Sequence, residues 1–121
     1  MVSVLFDTNI LIDYLNGIEQ AKIELDKYSD KAISLITWME VMVGASPETE
    51  EILRIFLNGF VNLPIDERVC QLAVTLRKDY RIKLPDAIVW ATALVGKRML
   101  ITRNTKDFSE DEPGIRVPYQ I

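Results

Sequence analysis

Apolar and polar positions alternate between two rhythms along the chain. Val2–Phe6 is a short, partly β-branched apolar run, read as a buried strand. Apolar residues at 10, 11, 12 and 15 then switch to helical spacing over Thr8–Leu15. Gln20–Tyr28 places Ala21, Leu25 and Tyr28 on one side and predicts a second short helix. Ala32–Ile36 is the next strand candidate, with Thr37 able to cap a helix over Trp38–Val43 that stops at Gly44. Ser46-Pro47-Glu48 has the composition of a helix start, and Ile52, Ile55, Phe56 and Gly59 line one face of the helix it opens. Phe60–Leu63 predicts a third strand. Asp66 can cap a helix with Val69, Leu72, Ala73, Leu76 and Tyr80 on one face. Pro85 opens another helix that is apolar nearly all round from Ala87 to Val95, and so buried on more than one side. Arg98–Thr102 predicts a fourth strand, Asp111–Gly114 a turn and Ile115–Pro118 a late edge strand. Strands alternating with helices point to a single α/β domain over residues 1–121 with a mostly parallel sheet.

Composition narrows the chemistry. The 121 residues include no histidine and one cysteine, Cys70, on the helix capped by Asp66. Imidazole bases, Cys/His zinc sites and an internal disulfide are therefore excluded. The net charge is −4 and uneven: four basic and eleven acidic residues up to 66, ten basic and seven acidic after it. No segment reads as a signal peptide or membrane span, so a cytoplasmic protein is expected. Neither GxGxxG nor GxxxxGK[ST] occurs, which removes the main support for a nucleotide-binding reading.

The placement of four acids is the informative feature. Asp7 directly follows the first predicted strand, Glu40 lies on the helix after the second, Asp86 opens the apolar helix, and Asp107 follows the fourth strand. Ligands in open α/β sheets bind outside the carboxyl ends of the strands. Carboxylates gathered there repel one another unless a cation sits among them, and hard oxygen donors suit Mg²⁺ or Mn²⁺. Each acid also has an ordinary structural reading. Asp7 can cap the helix at Thr8, Asp86 can complement a helix dipole, and Asp107 can be a turn residue. Glu40 stands in an otherwise apolar stretch, where a buried glutamate needs a partner.

These residues carry a resemblance. Asp7-Thr8-Asn9-Ile10-Leu11-Ile12-Asp13, Ser34-Leu35-Ile36-Thr37-Trp38-Met39-Glu40 with Gly44, Leu84 to Ala93, and Leu100 to Phe108 resemble, in order, the motifs of PIN-domain ribonucleases. The compact length is similar to VapC-type toxins of toxin–antitoxin pairs. The resemblance implies a three-layer α/β/α sandwich and an endoribonuclease dependent on Mg²⁺ or Mn²⁺. It implies a metal site at Asp7, Glu40 and Asp86, with Asp107 as the fourth acid and Asn104 beside it. Thr8, Asn9, Thr37 and Thr102 match polar positions that orient the acids. Asp13 belongs to the first motif, yet six residues past Asp7 a packing role is an equal reading. Lys83, Arg103 and Lys106 are candidates to hold RNA. A homodimer and a small antitoxin entering the acidic cleft are implied as well, with Trp38, Met39, Met42 and Val43 as candidate interface residues. RNA processing without a toxin role, and a PIN-like domain that binds without cleaving, remain open. A receiver-type signalling domain is disfavoured, because only one acid follows the first strand and none ends the third.

Overall fold

The computed structural model describes residues 2–121. Its elements are β1 (Ser3–Phe6), α1 (Thr8–Leu15), α2 (Glu19–Asp26), β2 (Asp30–Ser34), α3 (Leu35–Val43), α4 (Glu50–Asn58), β3 (Val61–Leu63), α5 (Glu67–Tyr80), α6 (Leu84–Val95), β4 (Met99–Ile101) and β5 (Ile115–Arg116). The strands form one sheet in the order β3-β2-β1-β4-β5, and every pairing is parallel.

The two faces of the sheet bury two cores. Alternation along β1 sends Val4 and Phe6 to one face and Leu5 to the other. Val4 and Phe6 pack with Ile10 and Leu11 of α1, Leu25 of α2, Val41 of α3 and Leu57 of α4. Leu5 packs with Leu100, with Val69, Ala73 and Leu76 of α5, and with Ala87, Val89 and Trp90 of α6. The result is the expected three-layer α/β/α sandwich. As its pattern predicts, α6 is buried over most of its circumference, from Ala87 through Ala93 save a part-buried Ile88.

Several boundaries differ from expectation, each for a local reason. β2 spans Asp30–Ser34 rather than Ala32–Ile36, because the Ser34 hydroxyl accepts from Ile36 N and starts α3 two residues after Ile33. Thr37 is therefore a buried residue inside α3 and not its cap. α4 begins at Glu50, not at Ser46. Ser46–Thr49 closes on itself first, with Ser46 N donating to Thr49 Oγ1 at 2.9 Å and Thr49 N to Ser46 O at 3.0 Å. Phe60 precedes β3 and turns inward, edge-on to Phe6 and Phe56. The edge strand β5 contains two residues only.

Candidate active site

The strand order reverses direction at β1, which has β2 on one side and β4 on the other. This is the topological switch point where such sheets bind ligands. The β1–β4 register pairs Phe6 with Ile101, so Asp7 and Thr102 emerge side by side at the carboxyl edge. Asp7 N completes the ladder by donating to Ile101 O at 2.9 Å.

Asp7 is buried, and three donors fix its carboxylate. Thr8 N reaches Oδ1 at 2.8 Å, which makes Asp7 the cap of α1. Thr102 Oγ1 donates to Oδ2 at 2.8 Å and Asn9 Nδ2 to the same oxygen at 3.1 Å. The capping role and a site role coexist in one side chain. Burial pushes the Asp7 carboxyl up, Glu40 adds to the rise, and the hydrogen bonds from Thr102, Thr8 and Asn9 oppose it.

Glu40 corrects an expectation. It lies on the exposed side of α3 and is not a buried glutamate. Its partner is Thr8, whose hydroxyl donates to Glu40 Oε1 at 2.7 Å. Thr37 Oγ1 stands 2.9 Å from that same hydroxyl, so Thr37 and Thr8 together aim Glu40 toward Asp7.

Asp86 sits in the first turn of α6, after Pro85. Its carboxyl is pushed up to about 7, first by burial, then by its hydrogen bond with Asp107 and by the negative charges of Asp7 and Asp107. Asp107 is held low by that same hydrogen bond from Asp86 and by Asn104, with Lys83 and Lys106 contributing. Asn104 Nδ2 donates to Asp107 Oδ2 at 3.1 Å, while Asn104 Oδ1 accepts from Lys106 N and Asp107 N and closes a tight turn. Asn104 N donates in turn to Thr102 Oγ1 at 3.0 Å, which links the Asp107 turn to the Asp7 hydroxyl partner.

The acids meet in neighbouring pairs: Asp7 with Glu40, Asp7 with Asp86, Asp86 with Asp107. Among the described residues no three of them converge as a ready-made ion cage. Their chemistry nonetheless suits a hard divalent cation, whose charge would offset the burial, and then the carboxylate repulsion, that raise Asp7 and Asp86.

Lys83 and Lys106 are exposed and flank the Asp86–Asp107 pair. Arg103 is placed differently from the RNA-holding role expected of it. Its Nε and Nη2 donate to the two oxygens of buried Asp13 at 2.6 and 2.8 Å, and Tyr119 OH donates to Asp13 Oδ2 at 2.8 Å. The backbone N of Arg103 donates to Asn9 Oδ1 at 3.1 Å. This group locks the segment between Thr102 and Asn104 onto α1, so Asp13 serves the site by holding its loop. Nothing local in the sequence reveals the pairing, because Asp13 is 90 residues from Arg103 and 106 from Tyr119.

The model of the PIN domain matches residues 4–110. The chain belongs to the PIN domain family. A toxin–antitoxin complex from Klebsiella pneumoniae contains a chain 50% identical to this PIN domain, with a TM-score of 0.94, covering 98% of this chain and 100% of that one. FitAcB from Neisseria gonorrhoeae is 24% identical, with a TM-score of 0.80 over 95% of this chain and 97% of that one. VapBC2 from Rickettsia felis, bound to a DNA fragment from its promoter, is 21% identical, with a TM-score of 0.77 over 100% and 99%. These last two share the PIN fold. No curated protein sequence matches the chain.

Proposed function

We propose that this PIN domain is the toxin of a toxin–antitoxin pair and an endoribonuclease dependent on Mg²⁺ or Mn²⁺. The observation that carries the reading is the 50% identity, over 98% of the chain, to a component of a toxin–antitoxin complex. The acids at the switch point support the chemistry. Asp7, Asp86 and Asp107 would hold the ion, with Glu40 as a further ligand or the group that orients the attacking water. A bound divalent cation supplies Lewis-acid activation of water and neutralises charge at the phosphodiester. The chain's own contribution is orientation: Thr102 and Asn9 fix Asp7, Thr8 and Thr37 fix Glu40, and Asn104 fixes Asp107. Lys83 and Lys106 supply positive charge beside the acids for the RNA backbone.

A homodimer and a small antitoxin belong to the same reading, as does a cytoplasmic location. On α3, Val43 is 85% exposed and stands one turn from Glu40, and Met39 is exposed as well, whereas Trp38 and Met42 pack partly against the core. An apolar border beside an acidic cleft fits a partner that inserts a cationic segment.

The test is cleavage of RNA by the purified protein with Mg²⁺, with Mn²⁺ and with chelator. Asp7→Asn and Asp86→Asn should each lower cleavage by on the order of a hundredfold or more while the circular dichroism spectrum is kept. Undiminished metal-stimulated cleavage by Asp7→Asn would sink the mechanism. Induced expression should arrest growth, and Asp7→Asn should relieve the arrest; normal growth with an active enzyme would assign the nuclease to RNA processing instead.

A further inference from the structure

Next to the acid centre, and sharing Asp107 with it, lies a cavity of about 420 Å³ that the proposed chemistry does not use. Its size falls in the ~300–1,000 Å³ range of small-molecule sites. Its floor is aromatic. Trp90 and Phe108 are buried and packed edge to face, with ring centroids 5.7 Å apart. Tyr80, the last residue of α5, packs on Trp90 at 4.8 Å and is 48% exposed, so its ring is the one offered to an occupant. The wall is the segment 105–112, which lines the cavity with the carboxylates Asp107, Glu110, Asp111 and Glu112 and the ammonium of Lys106, while Lys83 acts on Asp107 from outside the lining. The Tyr80 hydroxyl donates to Glu112 Oε1 at 3.4 Å, which stations that carboxylate at the edge of the exposed ring.

This combination selects its ligand by charge. A phosphate would meet four carboxylates against one ammonium and be repelled. A flat π-system that stacks on Tyr80 and brings N–H donors is complementary. Single-stranded RNA is read in this way, by aromatic stacking and by hydrogen bonds to Watson–Crick edges. Among the four bases, guanine alone presents two adjacent donors, N1–H and the N2 amino group, which match the two oxygens of a carboxylate. Uracil, cytosine and adenine each pair a donor with a neighbouring acceptor.

We propose that this cavity is a guanine subsite for the RNA strand that crosses the acid centre, with Tyr80 stacking on the base and Glu112 reading its edge. The proposal rests on the ribonuclease reading for its strand, and its test separates the two.

The probes are 5′-fluorescein RNAs UUGUU and UUIUU, in which I is inosine and lacks the N2 amino group. Binding is followed by fluorescence anisotropy in low salt with EDTA. The wild type should bind UUGUU about tenfold more tightly, the loss expected for one hydrogen bond to a charged acceptor. Glu112→Gln should shrink that ratio to under twofold. Tyr80→Ala should weaken both RNAs about tenfold and keep the ratio, while Tyr80→Phe retains affinity. Circular dichroism checks that each variant is folded. Equal binding of the two RNAs by the wild type, or no binding of either, overturns the subsite, as does an unchanged ratio in Glu112→Gln. Guanine preference with no cleavage in Mg²⁺ or Mn²⁺ keeps the subsite and overturns the nuclease reading. Cleavage without guanine preference does the reverse.

Discussion

Two buried acids of this chain work in opposite environments. Asp7 has neutral donors and an acidic neighbour, and its carboxyl is raised. Glu24 is equally inaccessible, but Arg116 donates to it through Nε at 2.7 Å and Nη2 at 3.1 Å, and Tyr28 OH donates at 2.9 Å. Burial alone would push Glu24 up; the hydrogen bonds from Arg116, Tyr28 and Lys27 outweigh it and hold the carboxyl below its ordinary 4.5. A group with a depressed folded-state pKa stabilises the fold above its unfolded value, and that contribution fades as pH falls through the folded one. Glu24→Gln should therefore lower the urea midpoint at pH 7 by an amount equivalent to about 1–3 kcal/mol, and the gap to the wild type should close below pH 4.5. Arg116 is 37% exposed and can rehydrate, which keeps the cost within that range. Asp13→Asn tests the loop lock in the same units. It should destabilise by about 1–3 kcal/mol and also lower cleavage more than kcat-neutral packing changes do, because Arg103 then no longer fixes Thr102 and Asn104. These pairs were not legible in the sequence: Glu24 follows the surface rhythm of α2, and Arg116 lies 92 residues away.

At the scale of elements, most of the fold was legible. β1 and α6 announce themselves as apolar runs and α1 and α5 by helical spacing, with caps at Asp7 and Asp66 and Pro85 in the first turn of α6, and all four form close to where the pattern places them. The errors fall where a side chain competes with the backbone, as at Ser34 and at Ser46–Thr49. Asp7 and Asp86 stand at predicted boundaries, whereas Glu40 lies inside the helix predicted over Trp38–Val43 and Asp107 in the segment beyond the fourth strand. One element carries a cost of its own. α5 ends at Arg81 in the left-handed region, φ 56° and ψ 33°, a conformation that costs a side-chain-bearing residue about 1–2 kcal/mol. Arg81 is exposed and its cap bond, N to Arg77 O at 3.0 Å, uses the backbone alone. Arg81→Gly should raise stability by about 0.5–1 kcal/mol once the greater freedom of glycine in the unfolded chain is counted, visible as a higher urea midpoint.

Across the whole molecule, both faces of the sheet are covered, yet apolar side chains remain outside. Ile52 and Ile55 of α4 are each about two-thirds exposed, and Val43 and Met39 of α3 more than two-fifths. They stand on the layer that also carries Glu40, so a partner covering them would sit beside the acids. The double variant Met39→Glu, Val43→Glu removes this face without touching a core. Sedimentation should report a dimer for the wild type and a monomer for the variant, with an unchanged circular dichroism spectrum; an unchanged mass would place the dimer contact elsewhere.

The parallel ladder between β1 and β4 has a consequence in time. β1 is translated well before its sheet neighbour β4. A nascent chain that has emerged as far as residue 98 already carries Asp7, Glu40 and Asp86, but neither the Thr102 hydroxyl that orients Asp7 nor the Asp107 turn. Pairings so distant along the chain are slow to form. The contacts that orient Asp7 and Asp107 thus form only after the segment 102–107 has been made.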